Sequence, residues 1–186
     1  MKEIILASQS PRRRELLKRI VPEFRVCVSR ADETLPEGLP PEECVKILAL
    51  RKAQAIEEDG IIIGADTIVV CDGEILGKPA DEEHAAEMLT RLSGREHTVC
   101  TGVAVLDGAK QLVACESTQV FFAELTREQI RAYIASGEPM DKAGAYGIQG
   151  LGALLVRGIA GDYHNVVGLP LFRLGQMLKE CGIPIL

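Results

Sequence analysis

Apolar residues fall along this chain in short blocks, and the spacing inside each block switches between the two secondary-structure periods. Ile4-Ile5-Leu6 is a continuous apolar run and predicts a first buried strand. Glu15-Leu16-Leu17-Lys18-Arg19-Ile20 reads as a helix, with Ser10 as its N-cap and Pro11 at the first helical position, where the missing N–H costs nothing. Phe24-Arg25-Val26-Cys27-Val28 predicts a second strand, and residues 29–40 a polar loop. The helical period returns from residue 41 to about residue 58. Val45, Leu48, Ala49, Lys52 and Ile56 lie on one stripe there, with Glu42 and Glu43 in the first turn.

Residues 61–70 give the strongest buried-strand pattern of the chain. Asp72-Gly73 predicts a hairpin turn into Ile75-Leu76. Residues 81–92 read as an amphipathic helix ending near Gly94. Residues 97–106 and 111–122 read as antiparallel strands turned at Asp107-Gly108, and residues 127–136 as a further helix. The C-terminal third places Gly-rich loops at 141–150 and 161–170, a strand at 153–159 and a closing helix at 171–181. No internal repeat, low-complexity segment or long linker interrupts residues 1–186, so a single domain is expected.

With 186 residues, 47% of them hydrophobic and 26% charged, the chain suits one compact domain or two small lobes around a continuous core. No apolar run reaches the length of a membrane span. A strand begins almost at the first residue, so neither a secretory leader nor a membrane association is expected, and the cytosol is the expected compartment. None of the six cysteines forms a C-x-x-C pair, which removes zinc ribbons and redox motifs. Most lie in apolar strand-like runs and read as small buried hydrophobes rather than a disulfide framework. A net charge of −6, with 4% aromatic residues and no Trp, argues against nucleic-acid binding. A phosphate ligand would need a local basic pocket in an acidic body.

Certain polar residues sit where a fold does not need them. Arg12, Arg13 and Arg14 occupy the first turn of a helix, where the dipole favours acids. They are three solvated arginines or the cradle of a polyanion at a helix start. Lys52 lies on an apolar stripe, either as a packed stem with its head in water or as an ammonium aimed into a cleft. Asp66 interrupts the most buried strand and so must be paired, metal-bound or open to a cleft. Gly64, two residues before it, permits a close backbone approach or a bulge. Lys78 stands in the constrained Gly77-Lys78-Pro79 loop. His84 and His97 read as surface or strand residues, and His164, in a Gly-rich loop, is the one histidine kept as a candidate, since no metal-ligand spacing joins the three. Arg12, Arg13, Lys52 and Lys78 with the acids Glu33 and Asp66 suit a phosphate chain with a divalent metal between acids and phosphate oxygens. Neither a Walker A sequence nor a G-x-S-x-G elbow is present.

Together these stretches resemble the Maf family of nucleotide pyrophosphatases. The matching pieces are Ser8-Gln9-Ser10-Pro11-Arg12-Arg13, Glu33, Lys52-Ala53, Gly64-Ala65-Asp66-Thr67, Gly77-Lys78-Pro79, the run from Asp141 to Gly150 and Asn165-Val166-Val167-Gly168-Leu169-Pro170. They cover essentially the whole chain in order. The resemblance implies a fold like that of inosine-triphosphate pyrophosphatases: an elongated mixed β-sheet with flanking helices, in two lobes around a deep cleft. It also implies metal-dependent hydrolysis of nucleoside triphosphates to monophosphate and pyrophosphate, with Mg²⁺ or Mn²⁺ held by Glu33 and Asp66. Ala65-Asp66-Thr67 and Ile148-Gln149-Gly150 look like the branch acting on dTTP and UTP. The sister branch acts on 7-methyl-GTP, and that activity, or broad hydrolysis of modified nucleotides, is the alternative enzyme reading. On this resemblance Asp66 is the catalytic base, Ser8, Arg12, Arg13, Lys52 and Lys78 hold the triphosphate, and Arg12, Thr67 and Gln149 mark substrate choice. His164 stands where the family more often carries an aromatic residue. The resemblance also brings a homodimer and an association with arrested septum formation, which would make partner binding the alternative to catalysis.

Overall fold

The structure, a computed structural model, describes residues 2–186. Its strands are β1 (Ile4–Ala7), β2 (Arg25–Cys27), β3 (Ile61–Cys71), β4 (Glu74–Leu76), β5 (Glu96–Asp107), β6 (Lys110–Phe122) and β7 (Val156–Ala160). They form one seven-stranded mixed sheet in the order β2-β1-β3-β5-β6-β7, with β4 on β3. β1 runs parallel to β2 and β3, whereas β3–β4 and β6–β7 are antiparallel. The helices are α1 (Pro11–Lys18), α2 (Pro41–Gln54), α3 (Glu82–Leu92), α4 (Arg127–Ala135), α5 (Tyr163–Val167) and α6 (Leu171–Glu180). The expected mixed α/β sheet with flanking helices is therefore present. Two compact units divide the chain, and β3, β5 and β6 each contribute to both.

The first unit comprises Met1–Thr67, Thr101–Glu116 and Gly168–Leu186. Ser10 caps α1, its hydroxyl accepting the Arg13 N–H at 3.4 Å, and Pro11 occupies the first turn. Leu16 and Leu17 anchor that helix in the core. α2 packs unusually close to the sheet. A Cβ on Gly64 would stand 2.2 Å from the Ala49 carbonyl, and one on Gly102 2.1 Å from the Val45 carbonyl. Glycine at both positions lets the helix backbone touch β3 and β5, over a small-residue core of Ala7, Ala49, Ala53, Ile62 and Ala104. α2 ends at Gln54, earlier than the expected residue 58. Glu57, Glu58 and Asp59 follow, and a helix C-terminus disfavours acids. Ile56 is still buried, but from the loop rather than the helix.

The second unit comprises Ile68–Cys100 and Ser117–Val167. Its core gathers Ala85, Met88, Leu89 and Leu92 of α3, Ile130, Tyr133 and Ile134 of α4, and Val120 and Phe122 of β6. Asp72 (φ 51) and Gly73 (φ 77) make the expected hairpin turn from β3 into β4. Two expectations are corrected here. The last strand begins at Val156 rather than 153, because Gly150–Leu154 winds into a 3₁₀ turn. The stretch 161–170 is not all loop: α5 forms within it, with the Asp162 carboxylate accepting the His164 N–H at 2.7 Å. His97, read as a surface or strand residue, lies in β5. It is buried against Phe122 and Tyr146, and its Nε2 lies 2.7 Å from the Tyr146 hydroxyl. All six cysteines are free thiols. No helix among the described residues is long and apolar enough to cross a membrane.

Candidate active site

Asp66 and Gly64 lie two residues apart on β3 and therefore share one face of the strand. Gly64 is where α2 touches that face, through Ala49 and Ala53. Lys52 sits between those alanines in the last turn of α2, so the close approach delivers its side chain to Asp66. Lys52 Nζ donates to Asp66 Oδ1 at 2.6 Å and lies 2.9 Å from Glu33 Oε1. The Lys52 and Asp66 side chains are 12% and 13% exposed, whereas Glu33 is 66% exposed. The ammonium is thus the packed centre of the trio and Glu33 its solvent-facing member. The Lys52 head is therefore held by two carboxylates rather than left in water. A pair this sheltered is costly to break, about 3–5 kcal/mol when one partner is removed, because the other charge is left uncompensated.

Glu33 comes from the 29–40 loop, and the end of α2 fastens that loop. Arg51 Nη1 donates to the Thr34 carbonyl at 3.0 Å, and Asp32 Oδ1 accepts the Thr34 N–H at 2.9 Å. Arg51 and Lys52 also suit their place near a helix C-terminus. Arg51 had no distinguishing sequence signal beyond being a neighbour of Lys52.

The turn between β1 and α1 supplies the next group. Ser8 is buried, and its hydroxyl accepts the Ser10 N–H at 3.2 Å. Arg12 and Arg13 are half-buried in the first turn of α1, while Arg14 is exposed. Arg13 Nε donates to the Gly168 carbonyl at 2.7 Å and Nη2 donates to Thr67 Oγ1 at 2.9 Å. Thr67 Oγ1 is in turn 2.9 Å from the Thr101 hydroxyl. Burial lowers the Arg13 pKa, the Asp66 and Glu33 carboxylates oppose that shift, and neighbouring Arg12 adds to it. A guanidinium stays protonated throughout. The structure thus brings Ser8, Arg12, Arg13, Glu33, Lys52, Asp66 and Thr67 into one unit, and it adds Thr101 and the Gly168 carbonyl. Thr101 is one more hydroxyl in an alternating strand, and a carbonyl has no sequence signal at all.

Lys78 and Gln149 belong to the second unit. Lys78 is exposed in the loop after β4, and the Gly77 carbonyl of that loop accepts the Gly144 N–H at 3.0 Å. Gln149 is half-buried at the start of the Gly150–Leu154 turn. The dense 141–150 stretch is ordered by its own contacts. Gly144 (φ 68) sits where a Cβ would meet Val69 at 3.0 Å, and Gly147 N–H donates to the Tyr133 hydroxyl at 3.1 Å. Burial raises the Tyr133 pKa to about 12. His164, the candidate histidine, is engaged with Asp162, its Nδ1 lying 3.6 Å from that carboxylate. Asn165 beside it donates to the Val99 carbonyl and Thr118 Oγ1, each at 3.0 Å, which ties α5 to its own unit.

Fold and site define an α/β protein in which a strand aspartate and a loop glutamate share one lysine beside a basic helix start. The chain belongs to the Maf-like protein family, which it matches over residues 3–181. It is 56% identical to the dTTP/UTP pyrophosphatase of Pelotomaculum thermopropionicum, covering 100% of both chains. It is 57% identical to the dTTP/UTP pyrophosphatase of Symbiobacterium thermophilum, over 100% of this chain and 97% of the relative. It is 53% identical to that of Moorella thermoacetica, over 100% and 98%. Among solved structures, the Staphylococcus aureus Ham1 protein is similar at 19% identity over 66% of this chain and 73% of its own, with a TM-score of 0.49.

Proposed function

We propose that this protein hydrolyses nucleoside triphosphates, dTTP and UTP before others, to the nucleoside monophosphate and pyrophosphate. The observation that carries the reading is the Lys52 bridge, 2.6 Å from Asp66 and 2.9 Å from Glu33, on one face of β3. The full-length relatives named dTTP/UTP pyrophosphatase support it. Asp66 is the general base: it orients a water and takes its proton as the water oxygen bonds to the α-phosphorus. The bond from the α-phosphorus to the oxygen bridging to the β-phosphorus breaks, and pyrophosphate leaves. Lys52 holds Asp66 aimed before substrate arrives. Ser8, the N–H groups at the start of α1, Arg12 and Arg13 take phosphate oxygens, which the helix dipole favours. Lys78 is assigned to the phosphate chain as well. Gln149 is assigned to the base, because its amide has both the donor and the acceptor that the imide edge of uracil or thymine asks for.

A divalent cation fits the donor set. Glu33 and Asp66 offer hard carboxylate oxygens, and Mg²⁺ is commonly held by one or two carboxylates with substrate phosphates completing its shell. Among the described residues no group of three or more His, Cys, Asp or Glu is placed to hold a metal ion. Bound at Glu33 and Asp66, Mg²⁺ or Mn²⁺ would neutralise charge on the phosphate oxygens.

Product analysis with dTTP, UTP, CTP, ATP, GTP and 7-methyl-GTP, with Mg²⁺, Mn²⁺ or chelator, tests the reading. Pyrophosphate released from dTTP and UTP, and lost on chelation, is the expected result. Inorganic phosphate as the product would move the attack to the terminal phosphorus and overturn the mechanism. A preference for 7-methyl-GTP would overturn the substrate assignment.

A further inference from the structure

Within the second unit, the backbone around Gln149 is fastened on both sides. Glu138 opens a 3₁₀ turn after Gly137 (φ 77), and its carboxylate reaches forward to the Gly150–Leu154 turn. Oε1 accepts the Leu151 N–H at 3.0 Å and Oε2 the Gly152 N–H at 3.3 Å. Gly150 has φ +62, and a Cβ there would stand 2.6 Å from Glu138 Oε1, so the carboxylate and the glycine fit one another. Upstream, the Tyr133 hydroxyl accepts the Gly147 N–H at 3.1 Å. Lys142 Nζ donates to the Glu138 carbonyl at 2.5 Å, and the Lys142 stem fills the space a Cβ on Gly147 would need. Between these two fastenings lie Ile148, Gln149 and Gly150.

Such fastening matters for a glutamine that reads a base. A Gln amide that donates to a 4-oxo group and accepts from an N3–H selects uracil or thymine. Rotated by half a turn, the same amide offers the reverse pattern, which suits cytosine. Selectivity then comes from holding one orientation, and that depends on a backbone that does not give. A charge-assisted pair of N–H···carboxylate bonds is the stronger kind of restraint.

We infer that Glu138 is a positioning residue for base selection, holding the Leu151 and Gly152 amides so that Gln149 discriminates uracil and thymine from cytosine. The inference rests on the reading of Gln149 as the residue that meets the base. It gives the half-buried turn after α4 a role in specificity rather than in chemistry.

Steady-state kinetics with UTP, dTTP and CTP on the full chain test it, using Glu138→Ala, Glu138→Gln, Gln149→Ala and the Glu138→Ala/Gln149→Ala double variant. Glu138→Ala should lower the UTP-to-CTP ratio of kcat/KM roughly tenfold, about the worth of one hydrogen bond. The change should sit in KM, with kcat on UTP near wild type. Glu138→Gln, which keeps one acceptor oxygen, should recover part of the ratio, and it stands in should the alanine variant fold poorly. In the Gln149→Ala background the Glu138 substitution should move the ratio no further. Hydrogen exchange at the Leu151 and Gly152 amides should quicken in Glu138→Ala. If Gln149→Ala shifts the ratio and neither Glu138 variant does, the positioning role is overturned while the base reading stands. An equal fall in kcat on all three substrates, or the same Glu138 effect with and without Gln149, also overturns it. If Gln149→Ala leaves the ratio at the wild-type value, the base reading fails and the inference falls with it.

Discussion

The Lys52 ammonium lies 2.6 Å from the Asp66 carboxylate, although one residue ends a helix and the other interrupts a buried strand. Two glycines make that meeting possible. Gly64 and Gly102 remove the side chains that would keep α2 off β3 and β5. The helix therefore sits low enough for Lys52 to reach the strand, and the charge on each partner satisfies the other. Glu33 joins from a loop that Arg51 fastens to the same helix end. A backbone-to-backbone contact made for packing thus also sets the distance between the proposed base and its cation.

Asp66→Asn removes the base and keeps the shape. The variant should fold, since an amide oxygen can still accept from Lys52 at the 2.6 Å position. Its turnover should fall by at least about 10², the lower end of what a positioned general base contributes. Circular dichroism confirms the fold, and pyrophosphate release measures the loss. Near-wild-type turnover in a folded Asp66→Asn protein would falsify the assignment of the base.

Gly64→Ala tests the packing argument separately from the chemistry. Its Cβ would meet the Ala49 carbonyl at 2.2 Å and the Ala53 nitrogen at 2.8 Å, both backbone atoms with little room to yield. Overpacking of this kind costs about 1–3 kcal/mol, and more where backbone must move. α2 should lift from β3, lengthening the Lys52–Asp66 contact. Urea unfolding should show the destabilisation, and kcat should fall in the variant even under conditions where it is fully folded. A destabilised enzyme with unchanged kcat would separate the close approach from the site.

The unusual residues themselves were legible before the structure. A charge inside an apolar strand (Asp66), a lysine on an apolar stripe (Lys52) and arginines at a helix start each break a local rule, and a broken rule can be seen in one dimension. Which acid Lys52 meets could not be read, because it depends on how closely α2 approaches β3 and β5. The sequence pattern carries α2 too far because Ile56 keeps the helical period, while the acids at 57–59 favour an earlier end. α5 was hidden because five residues are too few to show a period. His97 looked like a polar strand residue, and only the arrival of Phe122 and Tyr146 from distant elements buries it. Glu138 lies outside the dense 141–150 stretch and reads as a surface acid until the Gly150–Leu154 turn folds back onto it.

Burial of His97 makes stability depend on pH in a definite direction. Desolvation lowers its pKa from the ordinary 6.5 to about 4. The unfolded chain binds a proton at this residue as pH falls through 6.5, whereas the folded chain resists until about 4. The folded state is therefore favoured above the unfolded pKa, and this contribution is lost as pH falls across the window from about 6.5 to about 4. The loss is about 3 kcal/mol. His97→Gln does not titrate and keeps a partner for the Tyr146 hydroxyl. The stability difference between His97→Gln and the parent, from urea unfolding, should move toward the variant by about that amount between pH 7 and pH 4. A difference that stays constant across the window would show that His97 takes up its proton as easily in the folded protein as in the unfolded one.

Arg13→Lys separates a structural guanidinium from a merely cationic one. Arg13 bonds in two directions, from Nε to the Gly168 carbonyl at 2.7 Å and from Nη2 to Thr67 Oγ1 at 2.9 Å. A single ammonium keeps the charge but cannot reproduce that fork. One partner should be left unmade, at a cost of about 1–2 kcal/mol. For a domain of this size that lowers Tm by about 2–8 °C, which calorimetry resolves. The released partner also matters for the site, since Thr67 adjoins Asp66 on β3. KM for UTP should rise together with the fall in Tm. A melting temperature equal to the parent's would mean that charge alone suffices at this position and that the bonds to Gly168 and Thr67 do not hold the start of α1 in place.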